Sequence, residues 1–197
     1  MVLRGLLFGV GMLPLLLLGT GEKPYFTINF NKASKPWRAR PGEKGGKAKS
    51  ALTRSGGYRQ SPALIWYYEL NEKVTPCVYS CLVPARVLPR KPLKMSFCIR
   101  GNNSNTLLGF RLRDATGRIW QQNLTTIDFE GWRTIEVDIK PAGYAWGGKS
   151  RPDNGFTYPI TLLEFTLDLK PDKPYYKTKG KIILDEFLFY ERQYENF

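Results

Sequence analysis

The sequence predicts an all-β sandwich, and three observations carry that reading. Short stretches alternate apolar and polar residues at the two-residue period of a half-buried strand. Nineteen Gly and 14 Pro supply turns, and aromatic residues make up 14% of the chain, a composition that favours strands. No stretch shows a convincing amphipathic helical period. Many short strands punctuated by Gly and Pro form a sandwich or a barrel. At 197 residues the chain is the size of one domain, and 42% hydrophobic residues are enough to fill its core.

Residues 1–21 read as a separate object. A basic start ending at Arg4 precedes an apolar run through Leu6, Leu7, Phe8 and Leu15 to Leu18. Gly19-Thr20-Gly21 then offers a small-x-small site, and polar Glu22-Lys23 follows. This is the three-part pattern of a secretory signal peptide. Pro14 and the short span oppose a permanent membrane helix, which needs about 20 apolar residues. The expected mature domain is 22–197, with no stable membrane span, and the expected location is secreted, periplasmic or cell-surface.

About nine strands follow in order. Residues 25–30 open the domain. Residues 32–59 then hold nine Lys and Arg against Glu43, with five Gly, and read as a long basic loop. Residues 63–70 are a strand with aromatics on both faces, leaving open whether Trp66 and Tyr68 or Tyr67 point outward. Residues 78–83 and 93–100 are next; in the latter Leu93, Met95, Phe97 and Ile99 share one side. Residues 108–113 and 118–124 form a hairpin around Asp114-Ala115-Thr116-Gly117, with Gly where a positive φ is wanted. A three-residue loop there sets Leu112 opposite Trp120 and Phe110 opposite Gln122. Trp120 is then core, and Arg111, Arg113 and Gln121 share the other face beside Asn123. Residues 132–139, 160–169 and 181–190 complete the set. Leu163, Phe165, Leu167 and Leu169 are expected inward, against Glu164, Thr166 and Asp168. Trp132 is expected to plug the sandwich.

Several chemistries are excluded or weakened at once. There is no His, which removes Ser-His-Asp and Cys-His catalysis and His-ligated zinc. Three Cys are too few for a disulfide scaffold; Cys81 and Cys98 read as buried small hydrophobes, with a disulfide among Cys77, Cys81 and Cys98 left open. The net charge is +13. Its clusters lie in 32–59, in Arg86, Arg90, Lys91 and Lys94, and in Lys170, Lys173, Lys177, Lys179 and Lys181. Such clusters suit anionic polymers. In an exported protein, acidic glycans rank above nucleic acid.

Four motifs in a fixed order resemble the galactose-binding-like jelly rolls of the carbohydrate-binding-module type. They are Gly57-Tyr58 leading into Ala63-Leu64-Ile65-Trp66-Tyr67-Tyr68, the hairpin Leu107 to Trp120, Gly131-Trp132-Arg133, and the closing Gly180-Lys181-Ile182-Ile183-Leu184-Asp185-Glu186-Phe187. The resemblance implies a jelly-roll sandwich that binds a polysaccharide. Its relatives with a structural calcium ion usually carry acids just after the first strand, where this chain has Asn31 and Lys32. No cofactor is therefore expected; Asp185 and Glu186 remain the weak metal candidates, and Asp185 reads equally as a hydrogen-bonded bulge residue.

Sugar recognition needs flat apolar rings flanked by polar groups. Loop aromatics beside Gly suit the first part, and Tyr144 and Trp146 lie between Gly143 and Gly147-Gly148. Trp37, Tyr175 and Tyr176 are further loop aromatics. The expected carbohydrate site is Tyr144 and Trp146 as stacking rings, with Arg111, Arg113 and Gln121 as hydroxyl or carboxylate partners. Catalysis is left open and weighed against. Carboxylates such as Glu164 and Asp168 are present, but nothing in their spacing marks the acid pair of a glycosidase. The expected function is secreted, non-catalytic binding of a poly- or oligosaccharide. The alternatives are a small glycosidase or lyase on the same fold, or a structural protein-interaction domain.

The N-terminal pattern makes a direct prediction: exported protein should begin near Glu22. N-terminal sequencing of that material checks it, and an intact Met1 would contradict it.

Overall fold

The computed structural model describes residues 23–30, 37–41, 46–69, 78–141, 144–148, 155–169 and 177–191; the side chains of 78–85 are not described. Residues 1–22, Asn31, Lys32, Cys77, Tyr175 and Tyr176 lie outside this set. The described residues form twelve strands and one short 3-10 turn. The strands are β1 (Phe26–Ile28), β2 (Arg38–Arg40), β3 (Lys47–Thr53), β4 (Ala63–Glu69), β5 (Val78–Leu88), β6 (Lys94–Asn102), β7 (Leu107–Arg113), β8 (Ile119–Thr126), β9 (Glu130–Asp138), β10 (Tyr144–Trp146), β11 (Ile160–Asp168) and β12 (Lys179–Tyr190). They make two six-stranded antiparallel sheets. The first runs β3-β4-β12-β6-β9, with β1 paired to the far part of β12; the second runs β10-β8-β7-β11-β5-β2. The fold is the jelly-roll sandwich that the sequence predicts.

All nine expected strands are present, and β2, β3 and β10 are additional. Two of the three lie in the stretch expected as a basic loop. Their alternation is hidden because the positions packed on the core are small: Ala39 in β2 and Ala48 in β3. Ser50 ties the two strands together. Its hydroxyl donates to Trp37 O at 2.8 Å and accepts from Ala39 N–H at 3.0 Å.

Trp37 corrects a second expectation. Read as an exposed ring on the basic loop, it is buried at 7% exposure. It stacks on Phe165 of the second sheet at 6.3 Å and on Phe187 of the first at 6.2 Å, with interplanar angles of 16° and 17°. Phe187 in turn stacks on Phe97 at 5.5 Å and on Phe165 at 4.7 Å. A run of rings thus joins the two sheets, and Trp37 fills its end between β1 and β2. Trp132 also departs from expectation. It is half-buried on the outer face of the first sheet, edge-on to Tyr58 at 5.7 Å, rather than in the core. In β4, Trp66 and Tyr68 point into the core and Tyr67 is the outward ring at 40% exposure.

Bulges set which residues the sheets present. In β11 the pairing with β7 passes from Leu162–Leu112 directly to Glu164–Arg111, so Leu163 is left out of the ladder. The extra residue reverses the alternation. Ile160 and Leu162 before it and Phe165, Leu167 and Leu169 after it all enter the core, while Glu164, Thr166 and Asp168 face outward. Leu163, expected in the core, is half-buried instead.

A second irregularity in β12 follows Asp185, where Glu186 takes φ 48°. Asp185 is 1% exposed. Its Oδ2 accepts Tyr58 N–H at 3.0 Å and the Ser61 hydroxyl, and its Oδ1 accepts Glu186 N–H at 2.8 Å. Gly57 lies close against this carboxylate; a Cβ there would sit 2.6 Å from Asp185 Oδ2. The 3-10 turn (Tyr58–Gln60) is therefore clamped onto the sheet by one buried acid.

Hydrogen bonds to a buried charged group contribute about 1.5–3 kcal/mol each. Asp185→Ala should lower unfolding free energy by at least about 2 kcal/mol, read from the denaturant midpoint. An unchanged midpoint would contradict the clamp.

Candidate functional site

The outer face of the second sheet assembles polar rows from four strands, β10, β8, β7 and β11. Because directly paired residues on antiparallel strands share a face, the register fixes who meets whom. Tyr144 pairs with Gln121, Gln121 with Arg111, and Arg111 with Glu164. One row away, Trp146 pairs with Ile119, Ile119 with Arg113, and Arg113 with Thr161. All five residues expected as a site, Tyr144, Trp146, Arg111, Arg113 and Gln121, lie on this face.

The hairpin that supplies two of the strands is built as expected. Asp114 Oδ1 accepts Thr116 N–H at 2.9 Å, the Thr116 hydroxyl at 2.6 Å and Arg118 N–H at 3.1 Å, and Gly117 takes φ 84°. Burial opposes ionisation of Asp114, but these bonds and the one from Trp120 outweigh it and hold its carboxyl below the usual range. Trp120, 5% exposed, sends its indole N–H to Asp114 Oδ2 at 3.2 Å. The hairpin is thus locked by its own turn residue, and Arg111 and Gln121 are held in register.

At the centre is Glu164, whose side chain is only 6% exposed. Arg111 Nη1 lies 2.6 Å from its Oε1, and Arg40 Nη2 lies 3.2 Å from its Oε2. Arg111 also donates from Nε to Gln121 Oε1 at 2.8 Å. Gln121 Nε2 passes the chain on to Asp168 Oδ2 at 3.4 Å. The Arg111 guanidinium lies 5.1 Å from the centroid of the Trp146 ring, a cation–π distance. Tyr144 and Trp146 are 77% and 41% exposed. They are not loop residues; they form β10, an edge strand on β8.

Two buried oxygens on this floor, Thr166 Oγ1 and Asp168 Oδ1, have no hydrogen-bond partner among the described residues. Gly109 keeps the space above Thr166 open, since a Cβ there would lie 2.7 Å from Thr166 Oγ1. Burial pushes the Asp168 carboxyl up to about 6, against the nearby Arg111 charge and the Gln121 bond, which pull it down. The arrangement offers donors, acceptors and a flat ring with a cation beside it.

Arg40, Glu164, Thr166 and Asp168 were not among the expected binding residues. The alternation of Glu164, Thr166 and Asp168 was visible, but nothing in the sequence placed β11 beside β7. Arg40 was hidden in the expected loop. The weak metal candidates behave otherwise. Asp185 accepts N–H and O–H donors at both of its oxygens. Glu186 Oε2 lies 4.0 Å from Cys98 Sγ. Cys98 is a free, buried thiol, raised chiefly by burial. No group of three His, Cys, Asp or Glu suited to a metal occurs among the described residues, and no helix among them is long and apolar enough to cross a membrane.

Asp168 gives a signed pH dependence. Its folded pKa lies above the unfolded value near 3.9, so its protonated form is favoured by folding; that contribution is full below about pH 4 and is lost as pH rises to about 6. Asp168→Asn should therefore gain stability over the parent as pH rises from 4 to 7, by roughly 2 kcal/mol. Denaturant midpoints of the two proteins across that range check this, and a constant difference would contradict it.

No protein-family model matches the chain, and no curated protein matches it. Solved structures do. The chain is similar to the family 11 carbohydrate-binding module of the cellulosomal cellulase Lic26A-Cel5E of Clostridium thermocellum, at 18% identity, covering 90% of this chain and 99% of that one, with a TM-score of 0.54. A family 11 module from the same organism, solved in complex with a β-1,3-1,4-mixed-linked tetrasaccharide, matches at 16% identity over 83% of this chain and 95% of that one, with a TM-score of 0.52. At these identities the likeness is one of fold: the chain has the β-sandwich architecture of carbohydrate-binding modules.

Proposed function

We propose that the outer face of the second sheet binds an oligosaccharide segment of a polysaccharide, without catalysing its cleavage, in an exported protein. The observation that carries the reading is the Arg111 assembly. Its guanidinium is pinned between Glu164 and Gln121 while lying over Trp146, and Tyr144 stands exposed beside it. A sugar ring has one apolar C–H face and a rim of hydroxyls. Tyr144 and Trp146 supply surfaces for the first; Arg113, Gln121, Thr166 and Asp168 supply partners for the second. The two unpartnered buried oxygens support this, because buried polar groups are normally satisfied and a ligand hydroxyl would complete them. The similar module solved with a tetrasaccharide supports the same ligand class.

Binding without catalysis is favoured by the engagement of Glu164: arginines take up both of its oxygens, so it is not free to pair with Asp168 across a glycosidic bond. The signal-like residues 1–21 support a secreted, periplasmic or cell-surface location, and the missing acids at Asn31 and Lys32 support folding without calcium. The net charge of +13 supports acidic over neutral glycans, with binding that weakens as salt rises.

A good ring stack is worth on the order of 1–2 kcal/mol. Tyr144→Ala and Trp146→Ala should each weaken binding about tenfold, measured against whichever polysaccharide retards the parent in affinity electrophoresis. Tyr144 is so exposed that its removal should leave the fold intact. Unchanged affinity in both variants would place the site elsewhere. Failure of the parent to bind any glycan on a broad panel would put the protein-interaction reading in its place.

A further inference from the structure

A group of six cations lies on the opposite side of the sandwich. On the outer face of the first sheet two cross-strand rows run over β3, β4 and β12. One is Lys47, Glu69, Lys179; the next is Lys49, Tyr67, Lys181. They line a groove of about 390 Å³. Across β12 it adjoins a recess of about 340 Å³ that shares Lys179 and Lys181 and adds Arg100, Asn102 and Lys177.

Glu69 holds two of the ammonium groups, Lys47 at 3.5 Å and Lys179 at 3.4 Å. Lys49, Lys181 and Arg100 are exposed, and among the described residues none has a carboxylate within ion-pair distance. Among the described residues, Tyr67 is the most exposed ring on this face, and Tyr144 and Trp146, the other two rings of comparable exposure, lie on the second sheet. The carboxamide oxygen of Asn102 is buried in the recess with no partner among the described residues, its NH2 being used by Tyr68 OH at 2.7 Å.

We propose that this face is a second binding surface, separate from the Arg111 site, and that it takes an acidic polysaccharide chain. Charge complementarity sets the sign of the occupant: six cations surround the groove and recess, against Glu69 and Glu130. The rest of the lining selects a sugar polymer over a nucleic acid. Single-stranded nucleic acids are held by successive stacking rings, and among the described residues the groove and recess offer one exposed ring, Tyr67. A duplex is read by an element that enters a groove, and a flat sheet face has none. Glu69 lies in the groove itself, where it can accept hydrogen bonds from the hydroxyls that a sugar polymer carries on every ring. Lys49 and Lys181 flank Tyr67 on its two neighbouring strands, so a ring stacked on Tyr67 has ammonium groups on both sides for its carboxylate or sulfate.

The proposal does not depend on the Arg111 site, and the test separates the two. Binding of an oligogalacturonate and of a heparin-derived oligosaccharide is measured by calorimetry at two salt concentrations. The proteins are the parent, Lys49→Gln/Lys181→Gln, Tyr67→Ala and Trp146→Ala, each checked for an unchanged unfolding midpoint. The parent should bind at least one probe, more weakly at the higher salt. The double lysine variant should lose about tenfold or more and should show a shallower salt dependence, and Tyr67→Ala should lose up to about tenfold. Absence of binding to both probes would overturn the proposal. So would loss in Trp146→Ala with the lysine variant unchanged, which would move the anion to the other sheet. Tighter binding of a single-stranded oligonucleotide than of either glycan at the same salt would overturn the choice of ligand.

Discussion

The bulge at Leu163 is the constraint on which the rest of the site depends. A strand with strict alternation could not bury both Ile160–Leu162 and Phe165–Leu167. With the register of its first half continued, Glu164, Thr166 and Asp168 would enter the core and Phe165 and Leu167 would face water. One residue left out of the ladder resolves the conflict. It gives the core four apolar side chains from β11, with Leu169 just after it, and gives the outer face an acid, a hydroxyl and a second acid on the central part of the sheet.

Once Glu164 is placed there, half-enclosed by neighbouring strands, electrostatics dictates its company. A carboxylate with 6% exposure needs paired cations, and removing either partner would leave charge uncompensated. Arg111 and Arg40 answer it from β7 and β2, so the acid on β11 ties together strands that are not all neighbours. Arg111 cannot swing away without stranding Glu164, and its ordered guanidinium holds a fixed relation to Trp146 at the sheet edge. The site is therefore organised before any ligand arrives, which lowers the entropy cost of binding. On the other sheet the lysine face is unlike it. Its charges are long-stemmed and exposed, suited to attracting a polymer rather than to reading its shape.

The sequence made the nine principal strands legible because they carry runs of large apolar residues, several of them at period two, or return from a clear turn. The hairpin was legible to the level of single pairs: Leu112 faces Trp120, and Arg111, Arg113 and Gln121 share a face, because a short turn leaves little freedom of register. Other features were out of reach for identifiable reasons. β2 and β3 bury Ala and Ser rather than Leu or Val, so their alternation carries little hydrophobic contrast. Trp37 stands in a basic, Gly-rich setting that suggests exposure, and only the gap between two sheets makes it a core residue. Leu163 looked like the start of an inward row because a bulge has no composition signal. Glu164 and Asp168 were visible as acids, but their role depends on which strands flank β11, and that is a long-range fact.

Two faces of one sandwich thus carry different chemistry: a pre-set ring-and-guanidinium platform on one side and a flexible cationic surface on the other. The central claim, that the Arg111–Trp146 platform holds a sugar, is tested most directly by following indole N–H resonances. The chain has five Trp, and Trp37, Trp66 and Trp120 are buried while Trp132 is half-buried on the opposite sheet. In a titration with an oligosaccharide that the protein retains, the account predicts that the Trp146 indole signal moves, together with the backbone amides of Gln121 and Tyr144, while those of the other four Trp stay in place. A saturable titration that moves the Trp132 indole and leaves that of Trp146 unmoved would contradict it.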